Sequence, residues 1–215
     1  MSRRRVVSSF AELMRPFADG VNARCLERTL AGDFGSVASA FAARAEGEGG
    51  VLELDDATLR STPGLDPRAV SVLLEDTARL AELGRDPLIN VITRYPRDER
   101  GLPISVDVHS FHVDRAPIET DTFLCTYAGA SSEVLDNDDA TRLFDDSELV
   151  EVVRNLEISD EGFELHFRAK EGAQPTSLGT GHLWRLAVDW PGSPVPPCIH
   201  RAPLPDGRPR LLLIA

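Results

Sequence analysis

The stretch Thr122-Phe123-Leu124-Cys125-Thr126-Tyr127 is rich in residues that favour extended backbone, and it predicts a buried β-strand. It is one of eight candidate strands in the later part of the chain. Turn signals such as Asp160-Glu161-Gly162 separate most of them. The other candidate strands are 88–95, 104–113, 149–158, 163–169, 183–190, 198–202 and 210–214. Eight successive strands predict a β-sandwich or a β-barrel.

The first 87 residues have a different pattern, which predicts helices. Asn22 is a candidate helix cap, and the alanine-rich segment 36–45 has helical spacing of its larger apolar residues. Asp66-Pro67 begins the clearest helix, because proline is favoured at the first helical position. Only Val51-Leu52-Glu53-Leu54 is expected to form a strand in this part.

These patterns predict a single α+β domain over residues 1–215. A mainly helical part, 1–87, is expected to pack on a β-core formed by residues 88–215. The acidic stretch near 133–147 lies between candidate strands, so it is an insert, a lid or a short helix. The pattern alone leaves those three options open.

Charge and composition disfavour several classes of function. The formal net charge is −12, with 35 acidic and 23 basic residues, so we expect neither a nucleic-acid nor an anionic-membrane partner. No apolar run approaches the roughly 20 residues that span a bilayer, and the N-terminus does not resemble a secretory signal. The three cysteines are far apart in the sequence, which favours a reducing, cytoplasmic location. Composition says nothing about oligomeric state.

The segment Phe111-His112-Val113-Asp114 carries the most informative chemistry. Alternate side chains of a strand share a face, so His112 and Asp114 point the same way, whereas His109 points the other way. An imidazole and a carboxylate on one face can bind one metal ion. Two histidines and one carboxylate form the facial triad of non-haem iron(II), so a second histidine is required from elsewhere.

His200, on the candidate strand 198–202, is the best candidate for that second histidine. Arg210 follows ten positions later, and a three-residue hairpin loop at Pro205-Asp206-Gly207 would set it opposite Ala202, on the face of His200. A two-residue loop would instead place Arg210 on the opposite face of the sheet. A guanidinium there can bind one carboxylate of a diacid such as 2-oxoglutarate, whose other end chelates iron. Arg208 is the fallback carboxylate ligand.

The order His-x-Asp, a distant histidine and an arginine ten residues later resembles the iron(II)/2-oxoglutarate-dependent oxygenases over roughly residues 88 to 215. More narrowly, three segments resemble the bacterial family known as domain of unknown function 1826. These are Phe111-His112-Val113-Asp114-Arg115, Leu124-Cys125-Thr126-Tyr127-Ala128-Gly129 and His200-Arg201-Ala202-Pro203 with Arg210-Leu211-Leu212-Leu213.

The oxygenase resemblance implies a double-stranded β-helix, a jelly-roll or cupin-like core, braced by N-terminal helices. It also implies Fe(II) as cofactor, 2-oxoglutarate as co-substrate, and a two-electron oxidation of a small organic molecule by molecular oxygen. We expect no catalytic residue beyond the metal ligands. Tyr127 is expected to contact the co-substrate, and three further residues to contact the substrate: Asn90, Arg94 and Cys198.

Two other functions remain open on the sequence. The chain could be a cupin-like iron oxygenase in which the substrate itself chelates the metal, without 2-oxoglutarate. It could also be a metal-free β-barrel that binds a small molecule. His166, on the polar face of its candidate strand with Glu164, is expected to be an ordinary solvated histidine.

Overall fold

The computed structural model describes residues 3–97, 105–147, 149–151 and 163–215. Within them, four α-helices precede most of the β-structure: α1 Phe10–Leu13, α2 Phe34–Gly47, α3 Asp56–Ser61 and α4 Pro67–Ala81. Three short 3-10 helices follow at Asn137–Asp139, Leu143–Asp145 and Phe163–Leu165. The fold is therefore α+β, as the sequence predicts.

The strands form two sheets. The strands are β1 Arg4–Val7, β2 Ala23–Leu26, β3 Val51–Leu54, β4 Leu88–Ile92, β5 Phe111–His112, β6 Asp121–Ala128, β7 Glu133–Leu135, β8 Ala140–Arg142, β9 His166–Ala169, β10 Thr176–Ser177, β11 Leu183–Ala187, β12 Ile199–Arg201 and β13 Arg210–Ile214. Seven make one sheet in the order β1-β2-β11-β6-β13-β4-β3. Six make the other in the order β10-β7-β12-β5-β9-β8.

Both faces of the seven-stranded sheet are buried. Its outer face packs on α2 and α4 through Phe41, Leu73 and the strand residues Phe123, Leu183 and Leu213. Its inner face meets the six-stranded sheet in an inter-sheet core of Leu124, Trp184, Leu186, Leu212, Val134 and Cys198. Side chains alternate along each strand, so neighbours in sequence enter different cores.

The cap of α4 agrees with the sequence, but the first 87 residues contain more β-structure than predicted. Asp66 caps α4 by accepting a hydrogen bond from the Arg68 amide, with Pro67 at the first helical position. Asn22, however, caps no helix, because β2 begins directly after it and pairs with β11. Its side chain instead donates to Asn137 and to the Pro197 carbonyl.

One predicted strand, 104–113, is largely wrong, and another, 149–158, begins as a helix. Within 104–113, of which the structure describes 105–113, a turn occupies 107–110 and only Phe111–His112 form a strand. Within 149–158, residues 149–151 are helical, and the remainder lies outside the described residues. The acidic stretch near 133–147 is not one helix: it contains β7, two 3-10 helices and β8.

Candidate metal centre

His112 and His200 lie next to each other on the inner face of the six-stranded sheet. Strand β12 pairs with β5 so that His200 is directly opposite His112, and directly paired residues share a face. Their ring centroids are 4.6 Å apart. Val134 pairs with His200 from the other side and packs in the inter-sheet core, so both imidazoles face the space between the sheets.

Backbone carbonyls orient both rings in the same way. The Nδ1 atom of His112 lies 2.8 Å from the Ser110 carbonyl oxygen, and that of His200 lies 3.2 Å from the Cys198 carbonyl oxygen. A carbonyl oxygen only accepts, so each Nδ1 carries the hydrogen and donates it. Each Nε2 therefore presents a lone pair. Histidines that bind metals are typically held by this kind of second hydrogen bond.

Asp114 brings a carboxylate to the two imidazoles. Its Oδ2 lies 3.7 Å from Nε2 of His200, and it accepts a hydrogen bond from the Thr122 hydroxyl on β6. One ligand atom from each of His112, Asp114 and His200 lies within 4.8 Å of the other two. The Asp114 side chain remains 36% exposed, so one side of the group is open to an incoming molecule.

The three donor atoms fit one metal ion after small side-chain movements. Ligand atoms about 2.1 Å from an ion lie roughly 3.0 Å apart when they subtend a right angle at it. The observed 3.7 Å between His200 and Asp114 is close to that separation. Two imidazole nitrogens and one carboxylate are the donor set of non-haem iron(II) sites with open coordination positions.

Burial keeps the His112 ring neutral. Burial first, and the proximity of His200 second, lower the pKa of His112 from its usual 6.5 to about 4. A neutral imidazole is the form that binds metals, so the donor set needs no proton release from His112 at neutral pH.

This lowered pKa predicts that the metal-free protein is destabilised by acid. Below pH 6.5 the unfolded chain protonates His112, whereas the folded protein resists protonation down to about pH 4, so the free energy of unfolding should fall across that window. Urea unfolding, measured at several pH values in the presence of a chelator, should show that the free energy of unfolding falls less steeply with decreasing pH in His112→Gln than in the parent protein. Parallel profiles for the two proteins would contradict the prediction.

Arg210 is the second buried polar centre between the sheets, but the hairpin that we predicted for it is wrong. Strand β12 belongs to the six-stranded sheet, whereas β13 pairs with β4 and β6 in the seven-stranded sheet, with Arg210 opposite Ile92. Arg210 nevertheless faces the inter-sheet space, because its alternate residue Leu212 packs in that core. It therefore approaches from the sheet opposite His200.

Three hydroxyl groups surround the Arg210 guanidinium, which is 5% exposed. Its Nη1 donates to Tyr95 at 3.0 Å, and its Nη2 donates to Thr126 at 3.1 Å and to Ser132 at 2.6 Å. Each hydroxyl accepts from the guanidinium, so its own O–H remains available to a ligand. The Nε atom is buried and has no hydrogen-bond partner among the described residues.

Gly129 permits this arrangement. Its φ is +80°, and a Cβ there would come within 2.9 Å of the Arg210 Cα and 2.8 Å of the Pro209 carbonyl oxygen. A residue with a side chain would be strained in that conformation and would displace β13. The glycine thus lets the chain after β6 turn closely past Arg210 and place Ser132 against the guanidinium.

A cavity of about 40 Å³ adjoins Arg210. Tyr95 and His109 line it, and Nε2 of His109 is a second buried atom without a partner in the described part of the chain. Nδ1 of His109 lies 2.9 Å from the Pro203 carbonyl oxygen. His109 does not join the three-residue ligand group. Arg208 also lines the cavity, but its side chain is exposed and pairs with Asp206, so Arg210 is the buried cation there.

The structure places Tyr127 away from Arg210, the residue predicted to bind the same co-substrate. Tyr127 lies on the outer face of β6, packed on Phe34 of α2, and its hydroxyl donates to Asp76 of α4 at 2.6 Å. Asp76 is also paired with Arg28 at 2.5 Å. The alternation of β6 places Thr126, not Tyr127, toward Arg210. A polar threonine between Cys125 and Tyr127 in the buried part of the strand was the sequence signal for this residue.

Tyr127→Phe should therefore act on stability alone. It removes a hydrogen bond to a buried, charged carboxylate and should lower the free energy of unfolding by about 2 kcal/mol. Metal and ligand affinities should stay at the parent level, as measured by titration of the folded variant. A selective loss of ligand affinity in Tyr127→Phe would show that Tyr127 contributes to ligand binding.

The three residues predicted to contact the substrate lie in different surroundings. Asn90 is half-buried and opposite Leu212, so it faces the inter-sheet space. Arg94 lies beyond the end of β4; it is exposed, pairs with Glu46 at 3.5 Å and borders the cavity near Arg210.

Cys198 lies on the inner face as predicted, but it is packed within the inter-sheet core. Burial first, and the charge of Asp114 second, raise the pKa of its thiol to about 12. Cys198 is therefore a neutral packing residue beside the group.

His166 is not the solvated histidine that the sequence suggested. It is 9% exposed, lies opposite His112 in the pairing of β5 with β9, and their ring centroids are 5.6 Å apart. The prediction failed because strand alternation does not reveal which neighbour covers the polar face.

No helix in the described residues is long and apolar enough to cross a membrane.

The comparisons with known proteins identify a family without an assigned activity. No curated protein and no solved structure matches the chain. One family model, described as protein of unknown function (DUF1826), matches residues 107–214. That region includes His112, Asp114, His200 and Arg210. Because the match covers half of the 215 residues, the chain belongs to the DUF1826 family.

Proposed function

We propose that this protein is a non-haem iron(II) oxygenase that acts on a small organic molecule with 2-oxoglutarate as co-substrate. The observation that carries the proposal is the convergence of His112, Asp114 and His200, with both Nε2 atoms presenting a lone pair and one side open. Iron(II) held by these three residues would supply the activation of molecular oxygen.

The order of the strands supports a double-stranded β-helix. From β4 to β7, successive strands alternate between the seven-stranded and the six-stranded sheet, and from β10 to β13 they alternate again. This alternation is typical of a jelly-roll or cupin-like core. His112 and His200 lie on strands of the six-stranded sheet and Arg210 lies on a strand of the seven-stranded sheet, so the packing of the two sheets brings the two centres together.

Arg210 and its hydroxyls are suited to bind the distal carboxylate of 2-oxoglutarate. The free Nε–H and the O–H groups of Tyr95, Thr126 and Ser132 are donors that a carboxylate can accept from. Thr122 contacts Asp114 and Thr126 contacts Arg210 on one face of β6, four residues or roughly 13 Å apart. The two centres therefore lie on one face of the same strand.

The side chains of the protein would do three things in such a reaction. His112, Asp114 and His200 hold the metal, and the carbonyl oxygens of Ser110 and Cys198 keep both rings in the binding tautomer. Arg210 orients the co-substrate. The apolar inter-sheet core, which includes Leu124 and Leu212, excludes water from the interior side.

Fe(II) binding and ligand-dependent absorbance test this function. Air-free titration of the Fe(II) protein with 2-oxoglutarate should produce a metal-to-ligand charge-transfer band. Addition of oxygen together with a reductant such as ascorbate, which accepts the second oxygen atom in place of the substrate, should release succinate and carbon dioxide. Iron binding without that band would support the alternative in which the substrate chelates the metal directly. Failure to bind Fe(II) would support a metal-free β-barrel that binds a small molecule.

We also propose a cytoplasmic location. The three cysteines are free and buried, which suits a reducing compartment. The proposed partners are the small-molecule substrate and molecular oxygen, without nucleic acid or membrane, in keeping with the net charge of −12.

A further inference from the structure

A third imidazole continues the row formed by His200 and His112. Strand β5 lies between β12 and β9, and His112 is opposite His200 on one side and opposite His166 on the other. Directly paired residues share a face of a sheet, so all three rings project into the inter-sheet space. His166 is the outermost ring of this row.

The segment that contributes His166 crosses the six-stranded sheet. Strands β7 and β10 pair with each other at one edge, but β8 and β9, which lie between them in the chain, join the opposite edge beside β5. Phe167 lies opposite Phe111 and packs in the apolar cluster on the outer face. The alternation of β9 then requires His166 to face inward.

His166 is close to the three-residue ligand group without belonging to it. Its ring is 5.6 Å from that of His112, and its nitrogens are not among the ligand atoms that lie within 4.8 Å of one another. An atom bound about 2.1 Å from a metal can form a hydrogen bond of about 2.9 Å, so it reaches a donor roughly 5 Å from the ion. The His166 ring lies 5.6 Å from that of His112 on the same face of the sheet, so a molecule bound to the ion beside His112 can come within hydrogen-bond reach of it.

We propose that His166 is a ligand-contacting residue that hydrogen-bonds the molecule bound at the open side of the group. The ligand class is a small molecule that presents an oxygen or an anionic nitrogen to the imidazole. This inference rests on the proposed function, because it takes His112, Asp114 and His200 as the metal ligands. It assigns strand β9 a direct part in substrate selection.

The test uses the Co(II) protein and azide, an anion small enough to occupy one open position. Co(II) affinity is measured first by its visible absorption, and azide affinity second by the change in that absorption. The variants are His166→Leu and His166→Gln, with Phe167→Leu as the matched control on the opposite face of the same strand. Thermal unfolding checks that each variant is folded.

We expect Co(II) affinity to stay within about twofold of the parent value in all three variants. Azide affinity should fall about tenfold in His166→Leu, partly recover in His166→Gln, which keeps a donor, and stay unchanged in Phe167→Leu. If His166→Leu proves unstable, the inference is decided by His166→Gln against Phe167→Leu, since only the former should change azide affinity.

Unchanged azide affinity in both His166 variants would overturn the inference while leaving the metal centre intact. A large loss of Co(II) affinity in His166→Gln would also overturn it, because His166 would then be a ligand or a support for His112. Absence of Co(II) binding by the parent would instead reject the proposed function, and this inference with it.

Discussion

His200→Ala should lower the affinity for Fe(II) or Mn(II) by more than about 100-fold. Loss of a group that only orients a ligand costs about 10- to 100-fold in metal affinity, and this substitution removes one of three ligands outright. His112→Ala and Asp114→Ala should have comparable effects. Air-free titration of each variant, with metal content measured after dialysis, gives the affinity.

His109→Ala is the matched control, because His109 is equally buried but does not join the ligand group. It should bind metal as the parent does. The folded state should survive His200→Ala, since the core that surrounds the ring is formed by apolar residues of both sheets. Parent-like metal affinity in His200→Ala would show that the ligand assignment is wrong.

Arg210→Ala should weaken the binding of 2-oxoglutarate by roughly 2–5 kcal/mol and leave metal affinity nearly unchanged. The substitution removes the buried cation, and the carboxylate would then be desolvated without a charged partner. It also leaves the hydroxyls of Thr126 and Ser132 without the donor that orients them. The metal-to-ligand charge-transfer band, followed during air-free titration, reports the affinity.

Arg208→Ala is the control for this prediction. Arg208 is exposed and bonded to Asp206 in the loop before β13, so its loss should change 2-oxoglutarate affinity little. Arg210→Lys should recover only part of the affinity, because an ammonium cannot maintain three hydroxyl contacts and a free Nε–H in one plane. A band that survives Arg210→Ala and disappears in Arg208→Ala would reverse the two assignments.

Local sequence determined the parts of the structure that depend on near neighbours. Asp66-Pro67 begins α4 because an aspartate cap and a proline suit the first turn, whatever the helix packs against. His112 and Asp114 were expected on one side of the chain because alternation is a property of extended backbone. The structure indeed brings both residues to His200, although the regular strand ends at His112.

Only the tertiary structure decided which face of each strand meets the site. Both faces of β6 are buried, so the sequence could not tell that Tyr127 would face Asp76 on α4 and Thr126 would face Arg210. The alternation of side chains along a strand defines its two faces, but it does not show which face a helix covers.

Local sequence patterns also could not predict which of the two sheets each strand would join. The loop between β12 and β13 could be a hairpin by composition, yet it joins two sheets, so Arg210 approaches from the sheet opposite His200. His166 reaches His112 because its segment crosses from one sheet edge to the other. Sequence determined the conformation of each short segment through local sterics. The burial of apolar faces against distant segments decided which side chains meet, because that burial depends on the whole chain.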